Sequence, residues 1–181
     1  MAHKLADELL REILSPPLLV SDAMFEHTGD VSPFSKVEKS AADVLLVCKR
    51  WMRLATPSLL HTVVVRSMPQ ARALSSMIKR NPEFGTYIRR LRVEGSYGNY
   101  ILDAVSAAPH ITALCLTLTV WSDVKVDGLV KSLALIDPTR VILTLAPKKA
   151  LKNKNHDALV AALCKQLKFW SRLVRLSYST I

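Results

Sequence analysis

Five short stretches of β-type sequence recur along the chain after residue 59, and this recurrence is the feature that most restricts the fold. The stretches are 60–65, 88–93, 111–116, 140–145 and 173–178. Aligned on their fourth residues, they are separated by 28, 23, 29 and 33 positions. Four of them have the form apolar-x-x-apolar-x-apolar, and the exception carries Arg140 in the first position. Short runs of this kind, bounded by polar residues, predict five strands.

Apolar residues with helical spacing lie between the predicted strands. They are Leu74, Met77 and Ile78, then Ile101, Leu102 and Val105, then Leu129, Val130 and Leu133, then Leu159, Leu163 and Leu167. One strand and one helix cannot bury their own apolar sides, but stacked units share one continuous core. The pattern therefore predicts an irregular leucine-rich-repeat-like α/β solenoid over residues 59–181. An ordinary doubly wound α/β sheet is the alternative that the pattern leaves open.

The last predicted strand ends three residues before the end of the sequence. A solenoid needs a terminal unit with a polar outer surface to cover its last apolar layer. We therefore expect the domain 59–181 to be a truncated form, unless the helix before the last strand folds over the edge and acts as a cap.

Residues 1–58 have a different pattern and are assigned to a separate helical module. An apolar stripe predicts a helix over 4–14, which Pro16 and Pro17 end. A second helix is predicted over about 41–55, and Pro57 is expected to end or restart it. The polar residues 23–40 between the helices are interpreted as a loop insertion. The alternative is that Met24, Phe25 or Phe34 belongs to the packed module.

Two blocks of this module resemble the F-box family. The first reads Leu-Ala-Asp-Glu-Leu-Leu-Arg-Glu-Ile-Leu over 5–14, with Ala6 where the family has proline. The second runs from Asp43 to Leu54 and contains Val-Cys-Lys-Arg-Trp over 47–51. A mushroom-type fungal subfamily is more similar still, because it has a comparable insertion and segments like 91–95 and 137–140. The resemblance then covers most of the chain.

The resemblance implies a non-catalytic substrate receptor of a Skp–cullin–F-box ubiquitin ligase. The helical module would bind the Skp adaptor subunit, and the repeats would bind an unidentified target protein. The adaptor-binding residues expected are Leu5, Leu9, Leu10, Ile13, Leu14, Leu18, Val47, Trp51 and Leu54. Trp51 is the expected anchor, since buried tryptophan dominates many interfaces. Which of these residues form the module's own core stays open, as does the alternative of an interaction solenoid without ligase attachment.

The net charge of +10 is unevenly distributed. Residues 1–50 contain six basic and eight acidic residues, so the excess positive charge belongs to the repeats. On a strand, Arg90 and Arg92 project to one side, and Arg140 and Arg175 are expected on neighbouring strands. These four form a predicted basic surface for an acidic target. Scattered solubilising charge is the alternative, and nucleic-acid binding, to which the basic run 148–154 would contribute, ranks below the adaptor function.

The chemistry-bearing residues give no pattern of an enzyme or of a metal or cofactor site. The five histidines are scattered, and the sequence has no phosphate-binding glycine motif and no nucleophile elbow. The three cysteines, Cys48, Cys115 and Cys164, are expected to be reduced core residues. No apolar run approaches the ~20 residues of a membrane helix, and the first residues do not read as a secretory signal. We expect a cytoplasmic or nuclear protein.

Overall fold

The structure is a computed structural model that describes residues 5–29, 31–35, 41–120, 125–145 and 153–180, and the predicted basic run lies mostly outside them. It is a mixed α/β fold with a five-stranded parallel sheet. The helices are α1 (Asp7–Leu14), α2 (Asp22–Phe25), α3 (Lys49–His61), α4 (Met68–Arg80), α5 (Asn99–Ser106), α6 (Asp127–Leu133) and α7 (Lys154–Gln166). Shorter 3₁₀ turns span Pro16–Leu18, Ala41–Leu46 and Pro82–Tyr87. The strands are β1 (Thr62–Val65), β2 (Arg90–Val93), β3 (Ala113–Thr117), β4 (Arg140–Leu145) and β5 (Arg175–Thr180).

The strands lie in the sheet in the order in which they occur along the chain. Each one pairs in parallel with the next, from β1 to β5. One helix, from α4 to α7, connects each pair of strands, and neighbouring helices in this series contact each other. A doubly wound sheet reverses its strand order at a switch point. The described sheet has no such reversal, so its order differs from that of the doubly wound alternative.

The register corrects one feature of the predicted repeat. Val63, Leu91, Leu114, Val141 and Leu176 form one row across the sheet, whereas the sequence alignment placed Leu143 in that row. The fourth repeat therefore begins two residues earlier, at Pro138, which is buried. A shift of two residues keeps every side chain on its face, so the facing of the strand was unaffected. With this shift the apparent exception at Arg140 disappears.

A repeated backbone contact just before the strands fixes this register. The carbonyl of Arg89 accepts hydrogen bonds from the N–H groups of Thr112, at 2.7 Å, and Ala113, at 3.1 Å. The carbonyls of Thr112 and Thr139 accept in the same way from the residues that lead into β4 and β5. Because this contact recurs before β3, β4 and β5, successive strands enter the sheet at the same level.

One continuous core fills the space between the helices and one face of the sheet. Its strand residues come from the rows of Val63 and Val65, and α4 to α7 contribute the opposite side. Fully buried members include Val65, Ile101, Leu114, Leu116, Leu129, Leu133 and Leu159. Apart from Leu102, the apolar residues that predicted the four helices belong to this core or pack against it.

The N-terminal helices form a second, smaller core. Leu10, Leu14, Leu18, Leu54 and Ala55 are buried together. The predicted helix over 41–55 is wrong in its limits, because the region is divided into a 3₁₀ turn and the helix α3, which runs through Pro57 to His61. A proline removes one backbone donor, but apolar burial before and after it, at Leu54 and Leu60, favours continuation of the helix. The end of α3 leads directly into β1.

The cysteines correct another expectation. Cys115 is buried, but Cys48 and Cys164 are exposed. Cys48 precedes α3, and its Sγ accepts a hydrogen bond from the Trp51 N–H at 3.5 Å, so it caps the helix.

None of the described helices has the length and apolar character needed to cross a membrane.

We predict that Gly128→Ala destabilises the fold. A Cβ at this position in α6 would lie 2.1 Å from the Gly98 carbonyl oxygen. Alanine normally stabilises a helix by about 1 kcal/mol relative to glycine, whereas here the overlap should cost about 1–3 kcal/mol. Chemical denaturation measures the difference, with Ser76→Ala at an exposed position of α4 as the control. A variant as stable as the wild type would contradict the close approach of α5 and α6.

We also predict concentration-dependent self-association through β5. In the described part of the chain β5 pairs only with β4. Leu176 and Tyr178, on the side of β5 that continues the apolar side of the sheet, are about half exposed. Unpaired strand edges with apolar side chains favour intermolecular pairing. Leu176→Lys should shift the chain toward monomer in sedimentation velocity, whereas Met68→Lys, at an exposed site away from this edge, should not. A monomer at high concentration in the wild type would refute this prediction.

Candidate functional site

The sheet face opposite the helices carries the four arginines that the sequence singled out. Arg90, Ala113, Arg140 and Arg175 form one row across the sheet, and Arg92, Cys115 and Ile142 lie in the adjacent row on the same face. We call these seven residues the arginine face. Leu91, Val93 and Val141, which follow Arg90, Arg92 and Arg140 along their strands, belong to the main core, so the alternation of the strands puts these three arginines on the opposite face.

A segment from the N-terminal part of the chain lies across this face. We call residues 20–35 the strap; all of them except residue 30 are described. The prediction of a loop over 23–40 is wrong at its beginning, because Ser21 caps the short helix α2, its Oγ accepting from the Met24 N–H at 3.3 Å. Residues 36–40 lie outside the described part. The strap brings together parts of the chain more than 60 residues apart.

Phe25 is the apolar anchor of the strap. Its side chain is 0% exposed and packs with Ala113, Cys115 and Ile142 of the arginine face. Burial of a phenylalanine side chain contributes about 1.5–3 kcal/mol. The guanidinium of Arg90 lies over the Phe25 ring, 4.2 Å from its centroid. A small apolar centre surrounded by positive charge therefore holds the strap.

Two acidic residues of the strap pair with the arginines. Asp22 Oδ1 lies 2.9 Å from Arg90 Nη2, and its second oxygen lies 3.6 Å from Arg140 Nη1. Glu26 pairs with Arg140 and lies 3.5 Å from Arg175 Nη2. Because Asp22 and Glu26 are four residues apart across one helical turn, both can face the same surface. The strap supplies the acidic ligand that the sequence had led us to expect from another protein.

The strap backbone also binds the arginines. Arg92 Nη1 donates to the carbonyl oxygens of Phe25, at 2.7 Å, and His27, at 2.8 Å. Arg90 Nη1 donates to the carbonyl oxygen of Val20 at 2.8 Å. Arg92 is only 4% exposed, so these bonds compensate a charge that has lost nearly all of its water.

Glu94 connects the strap to the first two strands. It accepts hydrogen bonds from Ser32 Oγ at 2.7 Å, Arg92 Nε at 2.6 Å and Arg66 Nε at 2.9 Å. Arg66 also donates to the carbonyl oxygen of Phe34. Burial by itself raises the pKa of Glu94, but the hydrogen bonds from Ser32, Arg92 and Arg66 outweigh it and hold the pKa below its ordinary value. The ionised carboxylate is therefore part of the folded arrangement.

The site leaves one guanidinium incompletely satisfied. Arg90 Nη2 is close to Asp22, but neither Nη2 nor Nε of Arg90 makes a hydrogen bond of good geometry to any described residue, although both atoms are buried. Buried polar atoms are rarely left in this condition, because a missing hydrogen bond costs about 1–3 kcal/mol. The strap is thus an incomplete partner for Arg90.

The nine expected adaptor-binding residues divide into an inner and an outer set. Leu10, Leu14, Leu18 and Leu54 are buried, and Trp51 packs partly against them. The exposed residues are Leu5, Leu9, Ile13 and Val47. On α1 the division follows the helix, because the pair at 10 and 14 faces inward and the pair at 9 and 13 faces solvent. A partner can reach only the outer set directly.

Two ion pairs connect α1 to α3 within the module. Asp7 accepts from Arg50 Nε at 2.8 Å and from Arg53 Nη2 at 2.6 Å, which joins the start of α1 to α3. Hydrogen bonds from Arg53 and Arg50 lower the pKa of Asp7. The outward direction of Leu9 and Ile13 is therefore determined by contacts on the opposite side of α1.

Sequence reasoning found the four arginines but missed their partners. Asp22, Glu26 and Glu94 gave no local motif, and Asp22 and Glu26 lie in a stretch that reads as polar loop. The one available signal was Phe25 and Phe34, two large apolar residues in that stretch.

In comparisons with known proteins, no protein-family model, curated protein or solved structure matches the chain. Among the described residues, no group of three or more His, Cys, Asp or Glu side chains is placed to hold a metal ion.

We predict that Glu94 makes stability depend on acid pH. Since its pKa is lowered by folding, its contribution is present above the ordinary value of 4.5 and is lost as pH falls through the folded-state pKa. Glu94→Gln should reduce the free energy of unfolding by about 1–3 kcal/mol at pH 7, and the gap to wild type should narrow steadily below pH 4.5. Urea denaturation between pH 3 and 7 measures the gap, with Glu83→Gln at an exposed site as control. A gap independent of pH would refute this role.

Proposed function

We propose that the chain is a substrate-receptor adaptor of a Skp–cullin–F-box ubiquitin ligase. The helices α1 and α3 with their turns would form the F-box that binds the Skp adaptor subunit. The parallel sheet and α4 to α7 would form a leucine-rich-repeat-like solenoid that carries a target protein. The chain itself would perform no chemistry, and we place it in the cytoplasm or nucleus, where such ligases act.

The observation that carries this proposal is the exposed apolar stripe formed by Leu9 and Ile13 on α1, which we call the outer stripe of α1. Leu9 and Ile13 are 56% and 59% exposed although the opposite side of the same helix is already packed in the module's core. Paired exposed aliphatic residues on a short helix are the arrangement by which an amphipathic helix enters an apolar groove of a partner. Val47, which is also exposed and precedes α3, extends the apolar character of the module's surface.

The sequential strand order supports the repeat half of the proposal. A solenoid stacks each unit only on its neighbours, and in this sheet every strand pairs with its neighbours in sequence. The backbone contacts at Arg89, Thr112 and Thr139 recur at equivalent places, as expected when units are related by a regular step. A wide surface built from several strands suits the binding of another protein.

The charge pattern favours a protein partner over nucleic acid. The four arginines on the sheet are engaged by carboxylates or carbonyl oxygens of the chain itself.

An interaction solenoid without ligase attachment is the second candidate, because the arginine face does not depend on the outer stripe of α1. The two candidates differ in Skp binding.

We predict that the chain binds the Skp adaptor and that Leu9→Asp or Ile13→Asp weakens binding strongly. Loss of a central apolar anchor typically costs at least ~2 kcal/mol, or roughly thirtyfold in affinity. Both residues are exposed, so the substitutions should leave the fold intact. Leu135→Asp, at a comparably exposed leucine beyond α6, is the matched control.

Isothermal titration calorimetry with the purified Skp subunit measures the affinities, and circular dichroism checks the fold of each variant. Trp51→Ala is less informative, because Trp51 also packs on the inner core. Wild-type chain that is folded and fails to bind Skp would exclude the ligase adaptor and leave the interaction solenoid.

A further inference from the structure

We propose that the arginine face is a peptide-binding surface for an acidic, aromatic helical segment, and that the strap occupies it in the free chain as a ligand in cis. A target segment would bind by displacing the strap. This inference rests on the proposed function only for the existence of a target protein, and it does not depend on the surface that would bind Skp.

The strap defines the chemistry of the ligand. It presents two carboxylates one helical turn apart, at Asp22 and Glu26, and one aromatic side chain between them, at Phe25. Arg90, Arg140 and Arg175 of the arginine face pair with these carboxylates. They lie around an apolar floor that includes Cys115 and Ile142. A segment of the form Asp-x-x-Phe-Glu in a single helical turn would make the same contacts.

The apolar floor favours a peptide over nucleic acid. Nucleic-acid phosphates need positive charge along a continuous path, but here the centre of the face accommodates a fully buried phenyl ring. The arginines also donate to peptide carbonyl oxygens, from Arg90 to Val20 and from Arg92 to Phe25 and His27. These hydrogen bonds recognise a polypeptide backbone directly.

The strap has the properties of a replaceable ligand. It leaves Nε of Arg90 without a hydrogen bond among the described residues, so a better-fitting carboxylate can improve on it. Asp22 is 68% exposed, which gives an incoming acidic group access to Arg90. The module also stays attached to the sheet when the strap leaves, because α3 runs without interruption into β1.

Cys115 is a built-in reporter of strap opening. It is 2% exposed and lies beneath Phe25, so a thiol reagent reaches it only when the strap moves away. Cys48 and Cys164 are exposed and would react first. In the full chain carrying Cys48→Ser and Cys164→Ser, Cys115 labelling should proceed at least tenfold faster than global unfolding measured on the same protein in urea. Addition of salt should accelerate it, because the ion pairs that hold Asp22 and Glu26 weaken.

Binding in trans is tested with a synthetic peptide of residues 21–29, Ser-Asp-Ala-Met-Phe-Glu-His-Thr-Gly. The receptor is the full chain with the strap weakened by Phe25→Ala and Glu26→Gln. The peptide should bind this chain at least tenfold more tightly than wild type, and it should slow Cys115 labelling again. A control peptide with Asn and Gln at positions 22 and 26 should bind at least tenfold more weakly.

Arginine variants of the receptor locate the bound peptide. Arg140→Ala in the weakened chain should reduce peptide affinity at least fivefold. Arg172→Ala, at an exposed arginine away from the face, should not change it. If the double variant does not fold, Glu26→Gln alone, which keeps the Phe25 anchor, replaces it.

Three results would each overturn the proposal. Labelling of Cys115 only at the rate of global unfolding would mean that the strap is a fixed part of the core. A folded, weakened chain that does not bind the peptide would exclude a trans ligand of this chemistry. Tighter binding of a single-stranded oligonucleotide than of the peptide at moderate salt would make the face a nucleic-acid surface. None of these measurements uses Skp, so their failure is separate from failure of the adaptor function.

Discussion

A buried arginine is the constraint on which the arrangement of this protein depends. Arg92 lies on β2, its neighbours across the sheet are Val64 of β1 and Cys115 of β3, and it is almost completely removed from water. A buried charge without partners costs several kcal/mol. Its partners are Glu94, which directly follows the same strand, and two carbonyl oxygens of the strap. The sheet therefore requires either the strap or something chemically equivalent to it beside Arg92, and the carbonyl oxygens of Phe25 and His27 fill this requirement.

The parts of the fold that could be predicted from sequence are those with a local period. Strands β1 to β5 and helices α4 to α7 were found because each buries one side against its neighbour, which leaves an apolar pattern in the sequence. The register error at Leu143 arose because Pro138 was not counted as the apolar start of its repeat. The strap could not be found in this way. Its contacts join Glu26 to Arg140 and Phe25 to Ile142, and contacts between such distant positions leave no period.

The same distinction applies to the two candidate surfaces. The apolar residues of α1 were recognisable as a set, but sequence could not separate Leu9 and Ile13 from Leu10 and Leu14, because all four carry the same side-chain chemistry. The separation follows the burial of Leu10 and Leu14 in the module's core, and the ion pairs between Asp7 and α3 support this orientation of α1. Four predicted arginines on the sheet were brought together by strand alternation, which is local. Their occupation by the chain itself depends on the topology.

The connection between the two units decides how independent these surfaces are. Leu18 belongs to the core of the helical module, and Val20, two residues later, packs on the arginine face. At its other end, the helical module is joined to the sheet by the direct passage from α3 to β1. Helix α3 also contacts the 3₁₀ turn Pro82–Tyr87, which precedes β2, so the strap adds contacts to an attachment that already exists. The contacts that orient α1, those of Leu10 and Leu14 in the module's core and of Asp7 with α3, are separate from the contacts of the strap with the arginine face, so the two surfaces depend on different parts of the chain.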